Sequence, residues 1–377
     1  MRVLMISKAC LIGPYQRKLE EIARFPDIEL MVVTPPMWRE HKRIIRLERM
    51  YTTGYQLIAE PMLFNGNYHL HWYPFLGRRM RRYAPDVVHI DEEPYNLSTF
   101  LALSLARRIG ARSLWFTWQN LNRRYPLPFR WIEQYNLRYA DYAIVGSQGA
   151  ATVWRAKGYN GPLAVIPQFG VDPHIFSPDP TMGAGDIDGD TFVIGYAGRL
   201  VPEKGVDLLL TAAAELPSSS PWRVVVVGAG PERAALEKLA QRLDVWERVM
   251  FPGSIPAAEM PRFYRQWDVC VLPSRSRSNW VEQFGRVLIE AMACGTPVIG
   301  SDCGEIPAVI GDAGLLFPEG DVKALQAHLR HLMQDRATRI NLAQKGRARV
   351  LAHFTQTQIA AQTVAVYRQM ISLPNQC

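Results

Sequence analysis

A chain of 377 residues with 48% hydrophobic and 21% charged residues has the composition of a soluble globular protein and is too long for one ordinary domain, so two are expected. The start, M-R-V-L-M-I-S-K, turns basic after a brief apolar run, which argues against a signal peptide, and no apolar run is long enough to cross a bilayer. The net charge of +8 is uneven: residues 1–168 hold 23 Lys+Arg against 13 Asp+Glu, a surplus of 10, and the remainder holds 20 against 22, a deficit of 2.

In chain order, short β-branched runs alternate with helical patterns. The first series is 2–7, 28–34, 86–91, 113–118, 142–147 and 164–167; the second is 192–197, 223–228, 249–252, 269–273, 297–301 and 314–317. Near-continuous apolar strands separated by helices predict parallel sheets buried on both faces, and two series predict two doubly wound Rossmann-like α/β domains. The Pro-, Gly- and Asp-rich S-P-D-P-T-M-G-A-G-D-I-D-G-D (177–190) is a linker signal. The expected division is an amino-terminal domain over 1–170, a linker over 171–190 and a carboxy-terminal domain over 191–355. A last amphipathic helix within 356–377 completes the first domain. Ligands of such sheets lie at the carboxyl ends of the strands. With two domains facing each other, the expected site is the cleft between them.

The basic surplus of the first half gathers in 41–49, 77–83 and 122–125. One such cluster is ordinarily a solvated face; three in one half point to an anionic partner or a membrane surface. No nucleic-acid-binding module accompanies them, so nucleic acid is not an expected partner. The cysteines, Cys10, Cys270, Cys294, Cys303 and Cys377, are odd in number and form no CxxC pair. That argues for a reducing compartment and against a disulfide frame or zinc site.

Y-A-G-R-L-V-P-E-K-G (196–205) follows an apolar strand and precedes a helix. Gly198 permits a tight turn and close backbone approach. Arg199 and Lys204 then sit on the strand-to-helix loop, a fork of donors and a compact charge suited to a diphosphate. Alone, two exposed loop cations would be the better reading. V-V-V-V-G-A-G (224–230) ends a strand at Gly228 and Gly230, a weak Rossmann-like signal. E-Q-F-G-R-V-L-I-E-A-M-A-C-G (282–295) places a helix start near Phe284 or Gly285, where free N–H groups and the dipole attract phosphate. Glu282 precedes this helix and Glu290 lies about two turns in. Each carboxylate could accept from a vicinal diol, one on a sugar and one on a ribose, with a diphosphate between.

These two motifs together resemble glycosyltransferase family 4, the retaining nucleotide-sugar enzymes of GT-B fold. The Glu-x7-Glu element matches at Glu282 and Glu290, the Arg-x4-Lys element at Arg199 and Lys204, and strand order agrees from about Phe192 to Phe317. The resemblance implies that Arg199 and Lys204 hold the donor diphosphate. It also implies that Glu282 and the backbone of Phe284 and Gly285 meet the donor sugar and phosphate, and that Glu290 meets the ribose. The donor would be UDP- or GDP-linked, with no cofactor. The first half departs from the family: the loop after the first strand, 8–16, has only Gly13, and Gln119 stands where members often carry His. Gln119 can hydrogen-bond a sugar hydroxyl but cannot carry a proton at neutral pH. D-V-V-H-I-D-E-E-P-Y (86–95) sets His89, Asp91, Glu92 and Glu93 at a strand's end, where three carboxylates repel unless hydrated or partnered. Gly13, Asp91 and Gln119 are the acceptor-side candidates.

D-I-D (186–188) lies in the linker, not at a strand end, and the pairs His69/His71 and His328/His331 lack a third ligand, so no metal is assigned. Double displacement would need a carboxylate nucleophile; Glu282 suits the sugar hydroxyls better. Front-face substitution without metal, as the resemblance implies, is therefore the expected chemistry, the leaving diphosphate being stabilised by Arg199, Lys204 and the helix start. A nicotinamide dehydrogenase would need G-x-G-x-x-G after its first strand, which C-L-I-G-P-Y does not supply. A phosphorylase-like reaction would need a pyridoxal lysine, which sequence alone does not reveal. A non-catalytic sugar- or lipid-binding protein of the same fold is the alternative. Cytoplasmic placement is expected, with a lipid or growing glycan as acceptor; the charge points to peripheral binding on an anionic membrane, and the alternative is a soluble acceptor with the arginines merely solvated or paired within the fold.

Overall fold

A computed structural model of the chain describes residues 1–40, 43–179 and 191–372. His41 and Lys42 of the first basic cluster, the linker signal from 180 to 190 with its D-I-D, and the end of the terminal segment with Cys377 lie outside the described residues. The chain forms two compact units, Met1–Gly170 joined by the segment from Gln356, and Val171–Thr355.

In the first unit the strands are β1 (Arg2–Ile6), β2 (Glu29–Thr34), β3 (Met37–Glu40), β4 (Arg43–Arg46), β5 (Gln56–Ala59), β6 (Val87–Ile90), β7 (Arg112–Thr117), β8 (Tyr142–Val145) and β9 (Leu163–Val165). Seven form a sheet in the order β5-β2-β1-β6-β7-β8-β9, every pairing parallel. The helices are α1 (Arg17–Ala23), α2 (Leu76–Tyr83), α3 (Leu97–Arg108), α4 (Phe129–Tyr139) and α5 (Gln148–Ala156). Side chains alternate across a strand. Val3 and Met5 therefore enter the core beneath α1, while Leu4 and Ile6 enter the core with Leu76, Met80 and Leu103 of α2 and α3. The antiparallel pair β3–β4 and the edge strand β5 were not expected from sequence. M-W-R-E and R-I-I-R are short and charged, and Q-L-I-A lacks the β-branched run that marks the other strands.

The second unit holds β10 (Phe192–Ala197), β11 (Trp222–Val227), β12 (Val249–Gly253), β13 (Val269–Leu272), β14 (Val298–Ser301) and β15 (Leu315–Phe317), in the parallel order β12-β11-β10-β13-β14-β15. Its helices are α6 (Val206–Ala214), α7 (Arg233–Arg242), α8 (Met260–Arg265), α9 (Arg286–Ala293), α10 (Ile306–Ile310), α11 (Val322–Gln334) and α12 (Arg336–His353). The described start of the expected linker is held by this unit. The Val171 N–H donates to Phe354 O at 2.9 Å, and Arg265 Nε donates to Ser177 O at 2.6 Å.

The last helix, α13 (Gln356–Ser372), returns to the first unit. Its Ile359, Ala360, Val364, Tyr367 and Met370 share one core with Val3, Met5, Leu19 and Val32. The Tyr367 hydroxyl lies 2.7 Å from His89 Nδ1, both groups buried. Tyr367→Phe leaves that ring nitrogen without a partner. Urea unfolding should show a loss of about 1–3 kcal/mol, the cost of one buried unsatisfied group.

Candidate active site

In each sheet the strand order reverses direction at one place. In the second unit this place lies between β10 and β13, where open α/β sheets bind ligands. The loop after β10 carries Gly198, Arg199 and Lys204; the loop after β13 carries Ser274 and leads to Glu282 and α9. Lys204 Nζ and Ser274 Oγ both donate to Glu282 Oε2, at 2.5 and 2.9 Å. The Lys204 ammonium also lies 5.0 Å from the Trp280 ring centroid. The fold thus joins the two motif loops through one carboxylate, with Glu282 7% exposed. Arg199, by contrast, is exposed on its loop and forms no ion pair among the described residues. Its backbone carbonyl accepts from the buried Tyr196 hydroxyl at 2.9 Å, which fixes the loop from below.

Gly205 closes the Arg-x4-Lys loop in the left-handed region, at φ +66°, and a Cβ there would come 1.9 Å from Pro273 O. Only glycine lets this loop pass the end of β13. Gly228, a donor-binding candidate, packs within the protein: a Cβ would come 1.8 Å from Gly198 O. The turn after β11 therefore supports the loop that carries Arg199.

Helix α9 starts at Arg286 with Gly285 as its cap at φ +77°, and Phe284 beside it is buried. Glu290 is the fifth residue of α9, little more than one turn in rather than the two expected. Its oxygens are both engaged within the protein: Tyr264 OH donates to Oε2 at 2.7 Å and Arg286 Nε to Oε1 at 2.8 Å. Burial, with Glu290 beside it, pushes the Tyr264 hydroxyl well above its ordinary range. Ser274, Trp280, Tyr264 and Arg286 were not singled out from sequence. Serine, an aromatic and an arginine at these places carry no spacing signal of their own.

In the first unit the reversal falls between β1 and β6. The three carboxylates at the end of β6 are each partnered. Asp91 accepts from Ser7 Oγ at 2.5 Å and Gln168 Nε2 at 2.9 Å. Glu92 pairs with Lys8 Nζ at 3.0 Å, with His71 Nε2 at 3.5 Å. Glu93 accepts from the Trp118 N–H at 3.0 Å and from Thr117 Oγ1. Gln119, buried, spends its amide locally: Nε2 donates to Leu121 O at 2.9 Å and Oε1 accepts from Tyr125 OH at 3.1 Å. Gly13 N–H donates to Glu48 Oε2 at 2.7 Å, and a Cβ there would come 2.3 Å from Met50 Sδ. Asp91 and Gln119 thus lie at neighbouring strand ends, while Gly13 packs against the segment after β4. The His69 ring sits among Tyr95, Tyr125 and Phe129, and His328 Nε2 lies 3.0 Å from Leu316 O.

Two of these carboxyls titrate in opposite directions. Burial opposes the charge on Glu92, but Lys8 and His71 outweigh it and hold the carboxyl at about 2. Burial pushes Glu93 up to about 7 despite its hydrogen bonds. Glu93 thus binds its proton more tightly in the folded than in the unfolded chain. Its contribution to stability falls as the pH rises from about 4.5 to about 7 and then stays constant. Glu92 contributes above about pH 4.5 and loses that contribution as the pH falls toward 2. Thermal melts should show Glu93→Gln melting higher than wild type at pH 8, with a gain of about 3 kcal/mol at most by linkage. The wild-type decline between pH 5 and 7 should shrink in the variant.

Residues 180–349 match the family model described as glycosyl transferases group 1, a span that contains both motifs. A GDP-mannose-dependent α-(1-6)-phosphatidylinositol monomannoside mannosyltransferase of Mycolicibacterium smegmatis is 36% identical over 186 residues, 46% of this chain and 49% of that protein. A D-inositol 3-phosphate glycosyltransferase of Kineococcus radiotolerans is 33% identical over 55% of this chain and 52% of that protein. The chain spans about half the length of these curated relatives. Among solved structures, a sucrose-phosphate synthase from Thermosynechococcus elongatus superposes with a TM-score of 0.72 at 23% identity, covering 99% of each chain. Anabaena HepE in complex with UDP gives 0.74 at 18% identity, covering 98% of this chain and 100% of that one. The chain has the GT-B fold, and its residues 180–349 match the model of the glycosyl transferases group 1 family.

Proposed function

We propose that the protein is a retaining glycosyltransferase that moves a hexosyl unit from a UDP- or GDP-linked sugar to a hydroxyl acceptor. The observation that carries this reading is the convergence of Lys204, Ser274 and Glu282 at the strand reversal of the second unit, beside the exposed Arg199 and the start of α9. Arg199 and Lys204 would meet the diphosphate, with the α9 N–H groups adding a positive end. Glu282 keeps Lys204 in position and offers acceptor oxygens to sugar hydroxyls. Departure of the diphosphate would be helped by these fixed charges without a metal ion. The leaving phosphate oxygen would accept the acceptor's proton on the face it leaves, which retains configuration. Glu290 would meet the ribose only by exchanging one of its present partners, Tyr264 or Arg286.

Donor turnover by the purified chain tests this. Arg199→Ala should cost about 2.7–4 kcal/mol of transition-state stabilisation, 10²–10³-fold in rate, with little change in melting temperature because its side chain pairs with nothing described. Lys204→Ala should cost a similar amount and also destabilise the fold, since Glu282 loses its counter-ion. Activity should persist in a chelator. Wild-type rates in both variants, or an absolute need for manganese or magnesium, would refute the diphosphate assignment.

The acceptor is proposed to be lipid-linked and reached at an anionic membrane surface. Arg78, Arg81 and Arg82 of α2 are exposed, as are Phe75 at its start and Leu127 and Trp131 around the start of α4. Each basic group near such a surface adds about 1 kcal/mol, and the apolar side chains add to it. The Mycolicibacterium smegmatis relative bears the name of an enzyme for a phosphatidylinositol acceptor. No helix among the described residues is long and apolar enough to span a membrane, so attachment would be peripheral. The protein should sediment with anionic liposomes at low salt, less at high salt, and not with neutral ones. Absence of binding to anionic liposomes at low salt would remove the membrane from the proposal.

A further inference from the structure

The chain between β2 and α2 builds a second preformed surface in the first unit. Residues 63 and 72 form an antiparallel bridge, and the loop they close carries Phe64, Asn65, Gly66, Asn67 and Tyr68. With Arg39 of β3 these residues line a depression of about 620 Å³. Its aromatic rings are turned to solvent, Phe64 62% and Tyr68 44% exposed. Neither exposure follows from lack of order.

Tyr68 is clamped: its ring packs edge-on against the buried Trp38 at 5.3 Å between centroids, and its hydroxyl donates to Glu40 Oε1 at 2.6 Å. The Lys8 ammonium lies 5.3 Å from the same ring, so the depression adjoins the strand reversal between β1 and β6. Asn65 ties the loop to β3, accepting from the Arg39 N–H at 2.9 Å and donating to Met37 O at 2.7 Å. Asn67 Oδ1 accepts from the His69 and Leu70 N–H groups, both at 3.0 Å. Its Nδ2 is left over from these bonds, and the Arg39 guanidinium has no hydrogen bond or ion pair among the described residues.

Phe64 is the odd residue of the loop. It has φ +51°, a left-handed conformation that bulky side chains rarely adopt. The loop thus holds a large apolar ring in water and in an unfavourable backbone conformation at once. A residue with neither a packing nor a backbone reason for its identity is a candidate for a binding role.

We infer that this depression is a saccharide subsite: it takes a sugar ring of the acceptor, stacked on the exposed Tyr68 and Phe64 rings, with hydroxyls bonded to the Arg39 guanidinium and Asn67 Nδ2. Rigid aromatic faces beside a few oriented donors match the chemistry of a pyranose, which has an apolar C–H face and a rim of hydroxyls. The inference rests on the glycosyl-transfer reading and narrows it, because it makes the acceptor a glycan or glycosylated molecule. The site lies wholly in the first unit, apart from the donor residues of the second.

The test is titration of the full-length protein with maltose, cellobiose, lactose and an α-linked mannobiose, followed by ligand-observed NMR and calorimetry. At least one should bind wild type, and Phe64→Ala, Tyr68→Ala and Arg39→Ala should each weaken it tenfold or more. With an acceptor carrying that sugar, the same variants should raise KM and leave kcat within a few-fold. Phe64→Gly, which relieves the backbone, should melt higher than wild type while binding more weakly, and so separates binding from folding. Failure of every disaccharide to bind, or equal binding by the alanine variants, overturns the subsite. So does a loss in Phe64→Ala of liposome sedimentation or self-association in place of sugar binding. Donor turnover by wild type is read separately: its absence defeats the glycosyl-transfer reading, whereas saccharide binding without it leaves a sugar-binding site on a non-catalytic chain.

Discussion

Because every strand in both sheets runs parallel, each must be followed by a crossover, and the crossovers change direction once per sheet. At that place two neighbouring strands send their following loops to opposite sides, and their carboxyl ends are left open. The reversals lie between β1 and β6 in one unit and between β10 and β13 in the other. The polar side chains discussed above gather at these two points.

Gathering charge in such a place has a cost that must be offset locally. An unpaired carboxylate away from water is expensive, and each buried acid at the two reversals has its partner. Glu282 has Lys204 and Ser274; Glu290 has Tyr264 and Arg286; Asp91 has Ser7 and Gln168; Glu92 has Lys8. Glu93 has only hydrogen-bond donors, and its proton is accordingly held more tightly. Lys204, Ser7 and Lys8 follow the strand across the reversal, so these contacts also fix the two loops of each reversal against each other. Arg199 stands outside this economy, exposed on a loop that Tyr196 and Gly228 hold from beneath.

Much of this was legible in the chain. Runs such as L-M-V-V-T and V-V-V-V are buried on both faces and could only be central parallel strands. Of the Glu-x7-Glu and Arg-x4-Lys elements, Arg199, Lys204 and Glu282 sit where a strand gives way to a helix, and Glu290 lies inside the helix that follows. The short strands β3 and β4 were not legible, since four residues with two charges leave no periodic pattern, and nor was β5, whose Q-L-I-A lacks a β-branched run. Nor was the position of Glu290 within α9, because Gly285 caps the helix in a left-handed conformation that delays its first turn to Arg286.

The sequence by itself determined what is local or repetitive: two doubly wound units, a helix start near Phe284 or Gly285, and the cations at 199 and 204. It also set the three acids after β6 side by side, and with them the demand for partners. Which partners these are was decided only by tertiary structure. Lys8 and Glu92 are 84 residues apart and Lys204 and Glu282 are 78 apart, distances over which no spacing rule operates. The same holds for α13, whose Tyr367 reaches His89 across 278 residues, and for the left-handed Phe64. A sheet brings such residues together because strand order, not chain order, sets neighbours, and strand order is settled by the packing of all the crossovers at once.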